Sequence, residues 1–308
     1  STSNTPGLAV TSTINAAKAA GAASLVTIPI VDYVAADKNG GGDIRNDGYD
    51  DIVVNCAGSG VNNVYMGSAS GVSTTSAKTL TASSSNELGR GLSLESDVNA
   101  DGFADLVIGA PANSSSKGII YIYLGSASGL SSSATSIEGP KTASRFGQAV
   151  STAGDVNHDG YDDVVVGAPS YSYSTYSYAG RFAVYHGSSS GLSSTAAFAT
   201  NGGQVGAYVG YALDGRGDVN GDGTDDIIVG RDIESGAASV YYGSASGITS
   251  ASVSTLTSSG SSHFGGSVAM LPDVDGDGDD EVGVGATGSG FIEVLAGGSS
   301  GVNFSVLT

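Results

Sequence analysis

The chain has 308 residues, enough for two average domains or one large all-β domain, and 40% of them are hydrophobic, so a packed core is within reach. Eleven Lys and Arg against 30 Asp and Glu leave a net charge of −19, which argues against nucleic acid or an anionic membrane surface as partners. A single cysteine, Cys56, excludes an intrachain disulfide framework, and no apolar run reaches the roughly 18 residues of a membrane span. The chain opens at Ser1 with neither Met nor a signal-like apolar segment, as a processed or excised piece would.

Residues 1–25 read as an N-terminal segment ahead of a single domain over 26–308. In that segment Ile14 to Ala23 could form a short Ala-rich helix. Gly7-Leu8-Ala9-Val10-Thr11-Ser12 has the look of a strand that closes a ring, or of the remnant of an upstream unit. Next comes the acidic run Asp43-Ile44-Arg45-Asn46-Asp47-Gly48-Tyr49-Asp50-Asp51, a Val-rich strand ending at Cys56, a third strand, and the turn Tyr65-Met66-Gly67-Ser68-Ala69-Ser70-Gly71. The same order then repeats. Acidic loops begin at Asp97, Asp155, Asp218 and Asp273, so the unit recurs every 54 to 63 residues, and these five windows hold most of the acids. The turn recurs in register at Tyr123–Gly129, Tyr185–Gly191, Tyr241–Gly247 and, more weakly, Leu295–Gly301. Each unit reads as four short strands. In the third they are Phe146 to Ala153, Val164 to Val166, Arg181 to Tyr185, and one from about Leu192. A four-stranded unit repeated at this interval predicts an all-β fold, a β-propeller of four-stranded blades with five repeats counted.

The acidic loops share a donor pattern. The second carries Asp97, Asn99, Asp101 and Asp105 at positions 1, 3, 5 and 9, with Gly102 at 6 and Phe103 at 7. The third carries Asp155, Asn157, Asp159 and Asp163 with Tyr161 at 7, and the fourth Asp218, Asn220, Asp222 and Asp226 with Thr224. The fifth has Asp273, Asp275, Asp277 and Glu281 with Asp279. Alternate side chains on a tight loop converge on one point, and the carbonyl at position 7 can add a ligand. Hard oxygen donors in a large flexible ring select Ca²⁺ over zinc, copper or Mg²⁺. An EF-hand is excluded, because position 12 is Val54, Ile108, Val166, Val229 or Val284, all apolar. A lone loop could be no more than an Asp-rich turn, but like charges packed five times over call for a cation. The first loop offers Asp43, Asp47, Asp51 and Tyr49, but Arg45 stands at position 3, where a guanidinium cannot ligate. The expectation is four good sites and a weak or absent first one.

These residues resemble the FG-GAP repeat of integrin α-subunit propellers. The calcium pattern is followed by Val107-Ile108-Gly109-Ala110-Pro111 and Val165-Val166-Gly167-Ala168-Pro169. Phe146-Gly147 and Phe264-Gly265 supply the namesake dipeptide, with Leu88-Gly89 and Val209-Gly210 as diluted versions. The resemblance covers roughly residues 26 to 308 and implies a propeller, Ca²⁺ in the loops, and extracellular binding or adhesion. Integrin propellers have seven blades where five repeats are counted here, and Cys56-Ala57-Gly58 replaces Gly-Ala-Pro in the first unit.

Up-and-down strands put the calcium loops and Gly-Ser turns on one face and the remaining loops on the other. That second face varies. It carries the run from Ser170 to Tyr178, whose Tyr171, Tyr173, Tyr176 and Tyr178 are candidates for ligand contact or for simple packing on the blade top. His158, His186 and His263 form no cluster in the sequence, and Cys56 reads as a small buried residue. No Ser-His-Asp set or paired carboxylates can be picked out, though Asp232 and Glu234 form a local acid pair. The expected protein is a secreted or cell-surface, calcium-binding, non-enzymatic module whose partner is a protein or glycan on the face opposite the calcium loops. A calcium-dependent lectin and a non-catalytic domain of a secreted enzyme are the alternatives.

Overall fold

Val, Ile, Tyr and Phe dominate the segments after each acidic loop, and they form strands. The computed structural model describes residues 33–35, 42–56, 60–233, 236–258 and 263–303. The first sheet is β1 (Tyr33–Ala35), β2 (Ile52–Cys56), β3 (Val61–Tyr65) and β4 (Lys78–Thr81). The second is β5 (Leu92–Ser96), β6 (Asp105–Gly109), β7 (Ile119–Tyr123) and β8 (Thr135–Glu138). The third is β9 (Val150–Gly154), β10 (Asp163–Gly167), β11 (Arg181–Tyr185) and β12 (Phe198–Asn201). The fourth is β13 (Val209–Gly217), β14 (Asp226–Arg231), β15 (Ala237–Tyr241) and β16 (Val253–Leu256). The fifth has β17 (Phe264–Leu271), β18 (Glu281–Ala286) and β19 (Phe291–Leu295). Every sheet is an antiparallel meander in chain order. The helical content among the described residues is one 3-10 turn at Ser84–Asn86 and one short turn at Asn113–Ser116. This is the β-propeller the repeats predict.

The core lies between blades rather than within one. Second strands such as β6 and β10 are buried at all five positions, because each face meets a neighbouring sheet. Ile44, Val53 and Val64 of the first unit pack with Leu88, Leu94, Leu106 and Ile108 of the second. The same layering joins Ile120, Ile122 and Ile137 to Phe146, Val164 and Val166, and so on round the chain. The first strands of successive sheets touch one another, β5 to β9, β9 to β13 and β13 to β17.

The Phe-Gly and Gly-Ala-Pro motifs form the seam of this layering. Phe146 is 2% exposed and packs among residues of both flanking sheets. Gly147, at φ +83°, folds its backbone onto Gly109 at the end of β6, where a Cβ would lie 2.0 Å from the Gly147 carbonyl oxygen. A side chain at Gly109 would push the blades apart. The same contact joins Gly167 to Gly210 and Gly230 to Gly265.

Two strand limits differ from expectation. β9 starts at Val150 rather than Phe146, because Arg145 (φ 56°) and Gly147 turn the chain left-handed and Gln148 N–H bonds the Arg145 carbonyl. β12 starts at Phe198 rather than near Leu192, because the Ser193 hydroxyl accepts from Thr195 N–H and donates to its carbonyl, curling the chain first. The proposed N-terminal strand and helix, the Cys56 side chain and Glu234 lie outside the described residues.

Candidate metal centre and ligand face

The acidic loops connect the first and second strands of each blade. Position 9 is wholly buried in all five: Asp51, Asp105, Asp163, Asp226 and Glu281 are each 0% exposed. In the first four, that carboxylate staples its own blade. Asp105 Oδ2 accepts from Val98 N–H at 3.0 Å and Oδ1 from Gly125 N–H at 2.7 Å. Asp51, Asp163 and Asp226 repeat both bonds. The Gly-Ser turn is thus held against the acidic loop, which puts both on one face. Its glycine is required there, since a Cβ on Gly125 would meet the Ala104 carbonyl oxygen at 2.4 Å.

Burial dominates the ionisation of these groups. It raises the Asp105 carboxyl from the usual 3.8 to about 7, and those of Asp163 and Asp226 to about 8. Burial also raises Asp51 and Glu281, and the neighbouring loop carboxylates add to the rise at every one of the five. Buried acids that resist ionisation in the metal-free state are groups that a cation would stabilise.

The other loop positions are drawn inward by the backbone. Asp97 accepts from the amides of Asp101 and Gly102, Asp155 from Asp159 and Gly160, and Asp218 from Asp222 and Gly223. Asn99, Asn157 and Asn220 each donate Nδ2–H to the position 5 carboxylate. The amides of Phe103, Tyr161 and Thr224 donate to that same carboxylate. Among the described residues, the fifth loop alone gathers three or more acidic ligand atoms at one point. There Asp273, Asp275, Asp277 and Glu281 bring a carboxylate oxygen each within 4.8 Å of one another. Asp275 replaces Asn, and Glu281 is one methylene longer than Asp, so it reaches further toward the centre. Its Oε2 accepts from Val274 N–H at 2.6 Å, while Oε1 is buried with no hydrogen-bond partner. Asp279 at position 7 donates its amide to Asp277.

The first loop carries its own cation. Arg45 Nη2 lies 2.6 Å from Asp47 Oδ2 and donates to the Gly67 carbonyl at 3.0 Å. Asp43 accepts from Arg45 and Gly48, and the Tyr49 amide donates to Asp47.

Position 8 has a role that local spacing does not reveal. Asp162 Oδ2 accepts from Asp97 N–H at 2.9 Å in the preceding blade's loop, Asp225 from Asp155 at 2.7 Å, and Asp280 from Asp218 at 3.0 Å. Recurrence of Asp at position 8 in four of the five loops was the available signal.

On the opposite face Tyr171, Tyr173, Tyr176 and Tyr178 lie together. Tyr171 stacks on Tyr173 at 6.2 Å, and the Tyr176 ring lies tilted against Tyr173 at 5.5 Å. Tyr173 donates its hydroxyl to the Gly202 carbonyl. Tyr178, 51% exposed, stacks on Tyr208 of the next linker at 5.8 Å. Tyr171 and Tyr173 therefore pack, while Tyr176 and Tyr178 present their rings to solvent. Asp232 pairs with His263 Nδ1 at 2.6 Å. Among the described residues no helix is long and apolar enough to cross a membrane.

Residues 88–123 and 146–185 match the FG-GAP repeat, and residues 218–284 the FG-GAP-like repeat. Integrin alpha-6 of Gallus gallus is 36% identical over 140 residues, covering 44% of this chain and 12% of the relative. Integrin alpha-8 of Homo sapiens is 32% identical over 158 residues, covering 47% and 14%, and Integrin alpha pat-2 of Caenorhabditis elegans 34% over 154 residues, covering 44% and 12%. The matched stretch is thus a small fraction of those relatives' length. The chain is an integrin-like FG-GAP-repeat β-propeller.

Proposed function

We propose that the chain is a calcium-binding, extracellular adhesion or ligand-binding module, non-enzymatic, secreted or held at a cell surface. The observation that carries the calcium reading is the fifth loop, where four carboxylate oxygens converge and buried Glu281 Oε1 lacks a partner. An all-oxygen, all-anionic donor set suits a hard divalent cation. Asp273, Asp275, Asp277 and Glu281 would hold it there, with Asp279 contributing at position 7. Asp97, Asn99, Asp101 and Asp105, and their counterparts in loops three and four, would do the same. Each carboxylate oxygen that accepts one amide keeps a lone pair for the metal. Bound calcium would neutralise the loop and hold its carboxylates ionised.

Ligand contact falls to the opposite face, where Tyr176 and Tyr178 expose aromatic area at low conformational cost. A protein ligand is the first reading, in keeping with the integrin relatives. Exposed Tyr178, stacked on half-buried Tyr208, also favours a glycan, whose rings stack on such surfaces. Calorimetric titration of metal-free protein tests the first claim, with tight binding lost from the fifth loop in Glu281→Ala. No calcium-dependent heat would refute it. A glycan array with Tyr178→Ala as control separates the two ligand classes.

A further inference from the structure

A cavity of about 300 Å3 opens between the outer strand of the second sheet, β8, and the third strand of the third sheet, β11. That is the lower end of the range that small-molecule sites span. Its origin can be traced in the register. In the third sheet Phe198 pairs with Val184, and its ring packs against both Phe182 and Tyr241 of the next blade, which meet each other edge-on at 4.9 Å. Tyr241 is the counterpart of Tyr185, since each ends its strand opposite the second residue of the preceding strand. The place of Phe198 in the second sheet is taken by Thr135, opposite Ile122. A threonine cannot fill the volume of a phenyl ring, so Tyr185 meets no aromatic plug from blade two.

Two polar groups line this space, a phenol hydroxyl and a guanidinium that has no carboxylate partner among the described residues. Tyr185 is 6% exposed, and among the described residues nothing hydrogen-bonds its hydroxyl. That leaves the O–H free to donate to a molecule in the cavity. Burial holds its phenol up at about 12, with Arg181 opposing the shift, so it stays a neutral O–H donor. Arg181 is fixed by donation to Asn201 Oδ1 at 2.7 Å and by the Tyr171 ring 5.4 Å away. Among the described residues no carboxylate pairs with it, although the chain carries 30 acids. The one acid at the cavity, Glu138, is paired to Lys117. The remainder of the wall includes Ile137, Phe146 and Ala183, all apolar.

We propose that this inter-blade cavity binds a small carboxylate with a compact apolar body. The carboxylate engages Arg181 and the Tyr185 hydroxyl, and the body lies against Ile137, Phe146 and Ala183. Arg181 is the better donor for this purpose because its planar fork matches a carboxylate. The site shares no residue with the acidic loops and does not depend on calcium.

Fluorine NMR on the full calcium-loaded chain tests it, with para-fluorobenzoate as probe and para-fluorobenzamide as its neutral counterpart. Saturable broadening is expected for the benzoate, with the benzamide at least tenfold weaker. Arg181→Gln should weaken the benzoate more than tenfold and Tyr185→Phe several-fold. Thr195→Trp, at the exposed rim of the cavity, should block both probes. The benzamide comparison needs no variant, so it decides the charge preference even if Arg181→Gln fails to fold. Absence of saturable benzoate binding, equal binding of the two probes, or full binding in Thr195→Trp would each overturn the proposal.

Discussion

Removing the metal should invert the usual pH dependence of an acidic protein. In the metal-free state Asp105 holds its proton to about 7, and Asp163 and Asp226 to about 8, against an ordinary 3.8. The folded state then binds more protons than the unfolded chain between pH 4 and 8. Their contribution is therefore fully present below about pH 4 and is lost as pH rises through 7 to 8. Between pH 6 and pH 8 the loss is about 2 kcal/mol for each of Asp163 and Asp226 and about 1 kcal/mol for Asp105. His186 acts in the other sense. Burial lowers its folded pKa from 6.5, so the unfolded state takes up its proton first, which costs at most about 1 kcal/mol at pH 6. The carboxylates win, and their sum is comparable to the lower end of ordinary domain stability. Urea denaturation of dialysed protein, with metal content checked by elemental analysis, should give a higher midpoint at pH 6 than at pH 8. Saturating calcium should abolish or reverse that difference by holding the carboxylates ionised. Equal or higher metal-free stability at pH 8 would refute the account.

Position 4 of every loop is left-handed, but loops two and three put Ala100 (φ 53°) and His158 (φ 56°) where loops four and five have Gly221 and Gly276. Ala100→Gly and His158→Gly should each raise stability by up to about 1 kcal/mol in thermal melts, as the left-handed strain is relieved. Gly109→Ala should cost about 1–3 kcal/mol by forcing a methyl into the Gly147 carbonyl. Gly203→Ala, with nothing within 4 Å, should stay within about 0.5 kcal/mol on the same melts. Arg45→Asn removes the built-in cation and restores the donor found in loops two to four, so calorimetric calcium stoichiometry should rise by one site.

The blade repeat, the strand order and the exceptional character of the first loop were legible because each is written locally. A donor every second residue, a Gly at position 6 and an Arg at position 3 need no tertiary information. The closer gathering of the fifth loop was less so, since it depends on one methylene of Glu281 and on Asp275 replacing Asn. What could not be read was anything carried between blades. The bond from Asp97 N–H to Asp162 spans 65 residues, and the chain gives no periodic sign of it beyond the recurrence of Asp. The start of β9 was misplaced because Arg145 takes a left-handed conformation that its residue type does not announce. The cavity over Tyr185 was equally hidden, since it follows from comparing Thr135 with Phe198 in the paired register.

Each acidic loop is also a junction between blades, which bears on what a cation there would do. The position 8 residue of one loop reaches back to position 1 of the loop before it, through Asp162 to Asp97 and Asp280 to Asp218, in both directions along the backbone and side chain. The Gly-Ser turn of the same blade bonds the position 2 carbonyl of that preceding loop, Ser126 to Ile44, Ser188 to Val98 and Ser244 to Val156. Position 9 ties turn and loop together within the blade. A cation that fixes positions 1, 3, 5 and 9 therefore fixes the anchor points of two neighbouring blades at once. Its effect on stability would be cooperative across the layered cores and not confined to one loop. Because these junctions occupy one face, the tyrosines of the linkers on the other can vary in sequence so long as the glycines that seam the blades there, such as Gly167 and Gly210, are kept.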